Sequence, residues 1–351
     1  MSVDRITAQE ALVRLADFST IIDARSEGEY AEDHLPGAVN WPSLNDDERK
    51  IVGTSYKQIS QFEAKKLGAA LVAKNIAAHI QREVLDKPRE WQPLVYCWRG
   101  GKRSGSLALI LDQIGFKVTL VDGGYKAFRA ALVADLPQLA ARYSYQVVCG
   151  TTGSGKTRLL QALQAQGAQV LDLEALANHR SSVLGLIPGV PQPSQKAFDS
   201  LIWAALRSFD PARPVYIESE SKKVGNVAVP EGLIAAMRAA PCLQLDLAED
   251  ERVALLLEDY DFFVRDIAFF CERLGALTEA RGKDTVQDWQ ARARSGDVAS
   301  VVRELLVRHY DPVYLQSMRR NFSHYETARV LAPRDHTAAA MAELAASMLA
   351  S

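Results

Sequence analysis

The feature that most constrains this chain is a glycine-rich octet set between a strand and a helix. Tyr145-Gln146-Val147-Val148-Cys149 reads as a buried strand, and TRLLQALQAQG after the octet has helical spacing and stops at Gly167. Between them Gly150-Thr151-Thr152-Gly153-Ser154-Gly155-Lys156-Thr157 matches the pattern G-x-x-x-x-G-K-[ST]. The glycines allow close backbone approach, and the exposed amides and helix dipole hold phosphate oxygens. Lys156 adds a point charge, and the Thr157 hydroxyl is a candidate Mg²⁺ ligand. An α/β domain with a phosphate or diphosphate ligand is expected. The octet does not name that ligand. The carboxylates that could support Mg²⁺ and nucleotide hydrolysis are spread over Asp172, Glu174, Glu218, Glu220 and Asp246, with none standing out. Only Glu218-Ser219-Glu220-Ser221, a strand end crowded with polar groups, points at a site.

A second loop lies upstream. Leu94-Val95-Tyr96 forms an apolar strand, Cys97-Trp98-Arg99-Gly100-Gly101-Lys102-Arg103 follows, and a helix opens near Ser104. Two glycines let successive amides face one point, and Arg99, Lys102 and Arg103 add cations. An anion cradle around a nucleophilic thiolate at Cys97 is expected. Cys149, Cys242 and Cys271 sit among apolar neighbours and are expected to pack. The four cysteines form no CxxC or Cys/His cluster, so no metal ligand set and no disulfide framework is expected.

Further strands are expected at 18–25, 117–124, 168–174, 214–220 and 242–247, with helices at about 60–86 after Ser60 and from about 249 to the end. The fold class is therefore α/β. A parallel-sheet domain at 1–142 is followed by a P-loop domain at 143–351 with a helical C-terminal region. The 351 residues carry 41 basic and 43 acidic side chains, a formal charge of −2. That balance excludes a generally polybasic nucleic-acid binder and leaves room for a local basic surface. The charged start and the lack of a long apolar run suit a cytoplasmic protein with no membrane segment.

The N-terminal segment resembles the rhodanese family. Asp23-Ala24-Arg25, Glu29-Tyr30 and His34-Leu35-Pro36-Gly37-Ala38-Val39-Asn40 look like its opening motif, and Asp122-Gly123-Gly124-Tyr125-Lys126-Ala127-Phe128-Arg129 like its closing one. His34 is read as shaping a turn. The pairing with the P-loop resembles the tRNA 2-selenouridine synthase family over nearly the whole length. His179-Arg180-Ser181-Ser182-Val183-Leu184-Gly185, Glu218-Ser219-Glu220-Ser221 and His309-Tyr310-Asp311-Pro312 add to it. Ser181 stands where that family typically has glycine.

That resemblance implies a two-stage exchange at a wobble 2-thiouridine of tRNA. Geranyl diphosphate alkylates the thiocarbonyl sulfur, and selenium from selenophosphate then replaces it. Cys97 would bear selenium as a selanylcysteine, with Trp98, Arg99, Gly100, Gly101, Lys102 and Arg103 as the selenophosphate loop. Gly150 to Thr157 would hold the geranyl diphosphate, with Mg²⁺ optional, no tightly bound cofactor and a monomeric protein. Arg180, Glu218 and Glu220 are placed behind that loop, the glutamates orienting a metal or Arg180. Between Arg265 and Arg320 basic residues alternate with Trp289, Tyr310 and Tyr314, and Arg292, Arg294, Arg319 and Arg320 are the candidate tRNA phosphate contacts. Ile267-Ala268-Phe269-Phe270 is a candidate wall for the geranyl chain. The alternatives are a P-loop kinase or NTPase with a regulatory rhodanese domain, and a thiosulfate sulfurtransferase.

Overall fold

A computed structural model describes residues 3–180 and 189–350, so Ser181 to Gly185 lie outside the described residues. Contacts divide the chain into Met1–Leu136 with Pro193–Ala204, and Pro137–Gln192 with Ala205–Ser351. The expected boundary near 142 lies a few residues beyond this division, and residues 193–204 join the first unit, where Trp203 packs edge-on against Phe128 and its Nε1 donates to Asp135 Oδ2 at 2.8 Å.

The first unit holds β1 (Asp4–Ile6), β2 (Thr20–Asp23), β3 (Ala38–Asn40), β4 (Pro93–Tyr96) and β5 (Thr119–Val121) in one sheet, ordered β1-β5-β4-β2-β3. Every pairing is parallel. All strand C-termini therefore lie along one edge, where ligands of open α/β sheets bind. Ile22, Val95, Leu107, Leu111 and Leu120 fill its core. Ser60 caps the helix Gln61–Glu83 by accepting from the Phe62 and Glu63 amides. A left-handed Gly115 ends the helix Lys102–Ile114.

The second unit repeats this plan with β6 (Tyr145–Cys149), β7 (Gln169–Leu171), β8 (Val215–Glu218), β11 (Cys242–Leu245) and β12 (Arg329–Leu331), ordered β12-β11-β6-β8-β7 and again parallel. A short antiparallel pair, β9 (Lys223–Val224) with β10 (Val227–Ala228), stands apart. Two expectations change here. The strand expected through residue 174 ends at Leu171, because Asp172 accepts from the Ala175 amide and caps a helix over Leu173–Ala177. The C-terminal region is not helical throughout, since β12 pairs Arg329 with Leu243 at the sheet edge. The helices over residues 261–305 build a separate apolar core around Phe270, Leu274, Trp289 and Val301, while the last helix, Ala338–Leu349, packs Met341, Ala345 and Met348 on the sheet.

Candidate functional site

Cys97 leaves β4, between β5 and β2 of its sheet, and is buried. Its Sγ accepts from the Gly101 amide at 3.3 Å and from Ser104 Oγ at 3.1 Å. The loop is held against the closing motif: the Tyr125 and Lys126 amides donate to the Cys97 and Trp98 carbonyls at 2.8 and 3.0 Å. Gly124, at φ 58°, must be glycine, because a Cβ there would lie 2.2 Å from the Cys97 carbonyl oxygen.

Beneath this loop, Asp23 and Arg25 form a fully buried pair at 2.6 Å. Tyr96 OH donates to Asp23 Oδ2 at 2.8 Å, and Tyr125 OH donates to Asp33 Oδ2 at 2.7 Å. Burial pushes both phenols up, so they remain donors. The opening and closing motifs thus fix the floor of the cysteine loop. His34 stacks on Tyr30 and its Nδ1 meets the Tyr30 carbonyl at 2.9 Å, a turn-shaping contact.

Arg103 is engaged by Glu29, Nη1 to Oε2 at 2.7 Å, and the same carboxylate lies 3.8 Å from Arg49 Nε. Burial opposes ionisation of Glu29, but Arg103 prevails and holds its carboxyl below the usual range. Arg99 and Lys102 are exposed and make no ion pair among the described residues; with Cys97, Trp98, Gly101 and Arg103 they line an open pocket.

In the second unit Gly150 to Thr157 wraps from β6 into the helix Lys156–Ala165. Gly153, at φ 77°, passes so close to the Arg252 carbonyl that a Cβ would sit 3.0 Å away. Lys156 Nζ donates to the Gly150 carbonyl at 2.7 Å, folding over the loop. Arg252 clamps the loop from outside, donating to the Thr152 carbonyl at 3.0 and 2.8 Å and to the Asp311 carboxylate at 3.0 and 2.6 Å. Tyr314 OH accepts from the Gly150 amide at 2.7 Å and meets Ser219 Oγ at 2.8 Å. His309-Tyr310-Asp311-Pro312 therefore serves the loop through Asp311 and the helix it begins. Sequence reasoning missed Arg252 and read Tyr314 only as an aromatic among the candidate tRNA contacts, because their partners lie far along the chain.

Register between β7 and β8 brings the scattered acids together. Carboxylate oxygens of Glu174, Glu218 and Glu220 lie within 4.8 Å of one another. Thr157 Oγ1 donates to Glu174 Oε2 at 3.4 Å, joining this trio to the loop. Glu218 is fully buried; its Oε1 accepts from the Glu174 amide at 2.8 Å, while its Oε2 is buried with no partner. Burial first, then repulsion from Glu174, Glu220 and Asp172, raises its pKa well above the carboxylate range. A divalent cation fits this donor set, supplying the absent partner and offsetting the repulsion. Arg180 finds its partners elsewhere, on the Asp259 carbonyl and over the Tyr260 ring at 4.5 Å, so the glutamates do not orient it.

Thr152 to Thr157, Glu174, Glu220 and Arg180 line one cavity of about 720 Å³ that also includes Leu255, Leu256, Tyr260, Val313 and Phe322, with Glu218 buried behind it. A small recess, almost wholly apolar, shares Thr152, Leu256, Tyr260 and Tyr310 with it and continues to Phe263 and Phe270. Of the expected geranyl wall only Phe270 reaches this recess; Ile267 and Phe269 pack on the helical core.

The candidate tRNA surface changes more. Trp289 is a buried core residue and cannot stack on a base. Arg292 is paired with Asp288 and Glu304, and Arg319 with Glu326 in an exposed pair. Arg294 and Arg320 are exposed and carry no ion pair among the described residues.

Residues 7–131 match the model of the rhodanese-like domain, and 143–277 that of the tRNA 2-selenouridine synthase AAA domain. The tRNA 2-selenouridine synthase of Aeromonas salmonicida is 34% identical over 348 residues, 91% of this chain and 92% of that one. The chain belongs to the tRNA 2-selenouridine synthase family. That of Nitrosomonas europaea is 36% identical over 264 residues, covering 74% of this chain and 67% of its own length. A solved rhodanese-related protein from Thermoplasma volcanium is 16% identical, covers 36% of this chain and 89% of its own, and superposes with a TM-score of 0.24. Within the tRNA 2-selenouridine synthase family assignment, the rhodanese-like match contains Cys97 and Glu29, and the AAA match contains the phosphate loop and all three acids. Asp311 and Tyr314, which brace that loop, fall beyond both matches. No helix among the described residues is long and apolar enough to cross a membrane.

Proposed function

We propose that the protein converts wobble 2-thiouridine of tRNA to 2-selenouridine through an S-geranyl intermediate, using geranyl diphosphate and selenophosphate. The observation that carries this reading is the lining of the phosphate-loop cavity. Its volume falls within the ~300–1,000 Å³ range of small-ligand sites, and its phosphate-binding end adjoins a wall of Leu256, Tyr260 and Phe322. A diphosphate bearing an apolar chain satisfies both ends.

In the first stage the thiocarbonyl sulfur attacks the allylic carbon, the carbon–oxygen bond breaks towards the diphosphate, and the nucleobase loses its ring N–H proton. Loop amides, the helix dipole and Lys156 stabilise the departing charge. Glu174, Glu218, Glu220 and Thr157 would hold Mg²⁺, which when bound neutralises diphosphate oxygens. Alkylation turns a poor leaving group into a good one, and the sulfur departs as geranylthiol when selenium takes its place, the selenium–phosphorus bond breaking and the phosphoryl group passing to water as phosphate. The selenium stage depends on Cys97, with Arg99, Lys102 and the loop amides receiving the selenophosphate anion.

Ligand binding to the purified protein separates this reading from a nucleotide enzyme. Geranyl diphosphate is expected to bind more tightly than pyrophosphate, with Lys156→Ala abolishing both. Tighter binding and turnover of ATP, with no gain from the geranyl chain, would overturn it.

A further inference from the structure

Trp98 sits beside the reactive sulfur and is half-buried, although its neighbours Tyr96 and Cys97 are fully buried. Its ring stacks on Tyr125, with centroids 5.5 Å apart and planes 29° from parallel. Tyr125 is itself immobilised. Its hydroxyl is bound to Asp33, its amide to the Cys97 carbonyl, and the Arg25 guanidinium lies 4.0 Å from its ring centroid. Arg25 is in turn fixed by the buried Asp23 carboxylate. The result is a rigid ladder, Arg25, Tyr125, Trp98, ending in an aromatic ring at the mouth of the Cys97 pocket.

Charge around that ring is one-sided. Arg99 and Lys102 are exposed without ion pairs among the described residues, and Glu29, which reaches the loop, is matched by Arg103. A selenophosphate anion explains the cations and the amides but makes no use of a preorganised indole. An aromatic platform is how proteins hold an unstacked base.

We propose that Trp98 is the stacking platform for the wobble nucleobase of the RNA substrate, holding its C2 position at Cys97, while Arg99 and Lys102 keep the selenophosphate anion beside it. This rests on the tRNA reading above and adds where the base is bound. It also moves Trp98 from the selenophosphate loop to RNA recognition.

Two measurements on the full chain test it. In the first, an anticodon stem-loop with 5-iodouridine at the wobble position is irradiated with wild-type protein, and the crosslinked peptide is sequenced. A crosslink at Trp98 is expected; crosslinks only to peptides outside residues 97–103 would overturn the proposal.

In the second, Trp98→Leu and Trp98→Phe are compared on a stem-loop already carrying S-geranyl-2-thiouridine. Trp98→Leu should lower kcat/KM for selenation roughly 5- to 150-fold, the effect of losing one base–aromatic stack, chiefly through KM, and Trp98→Phe should recover most of it. Equal values for Leu, Phe and wild type would contradict stacking. A wild-type protein that crosslinks at Trp98 but never selenates would instead refute the catalytic reading and leave the platform standing.

Discussion

Ser104 Oγ lies 3.1 Å from Cys97 Sγ and 3.3 Å from the Gly101 carbonyl, and Ser104 is wholly buried. One hydroxyl proton thus has two acceptors. It belongs on sulfur when sulfur is anionic and on the carbonyl when sulfur carries a substituent. Removing it deprives the thiolate of a donor, and hydrogen bonds to charged groups contribute about 1.5–3 kcal/mol. Ser104→Ala should slow alkylation of Cys97 by iodoacetamide at neutral pH roughly tenfold, and Ser104→Thr should restore it, as followed by mass spectrometry. Equal rates for all three proteins would show that the Gly101 amide suffices.

Glu218 makes stability depend on pH in a defined direction. Because burial and the neighbouring acids raise its pKa, the fold retains a proton that the unfolded chain loses near pH ~4.3. Stability from this group is therefore greatest at low pH and declines as pH rises above that value. Glu218→Gln removes the penalty. Without divalent metal, its melting temperature should exceed that of wild type at about pH 8, and the gap should narrow towards about pH 5. Added Mg²⁺ should raise the wild-type value and leave Glu218→Gln unmoved. Parallel curves for the two proteins, with or without metal, would refute this account.

The Asp23–Arg25 pair under the cysteine loop predicts a large mutational cost. Asp23→Asn leaves a buried guanidinium without its counter-charge and weakens the bond from Tyr96. Loss of one partner of a buried pair costs about 3–5 kcal/mol, which urea unfolding would register. A change below about 1 kcal/mol, the scale of a surface pair, would show that water reaches the site.

The geometry of both loops was legible in the sequence because each is contiguous and its turns follow from glycines within a few residues. Ser60 and Gly167 marked helix ends for the same local reason. What stayed hidden depends on pairings between distant segments. Glu174 and Glu218 meet only because β7 pairs with β8, Leu171 opposite Ile217. Arg103 looked like a free cation because Glu29 lies 74 positions away. Arg292 and Trp289 share a helix over Lys283–Arg294, and composition alone could not say that Trp289 faces the core and Arg292 faces Glu304. The three residues of β12 are too few to announce a strand by alternation, and only the exposed edge of β11 makes them one.

Incubating 2-thiouridine tRNA with geranyl diphosphate, selenophosphate and each variant, then analysing wobble nucleosides by mass spectrometry, tests the division of labour between the two loops most directly. Wild type should yield 2-selenouridine, Cys97→Ala should stop at S-geranyl-2-thiouridine, and Lys156→Ala should leave 2-thiouridine unchanged. Equal loss of both steps in Cys97→Ala, or unimpaired geranyl transfer in Lys156→Ala, would contradict it.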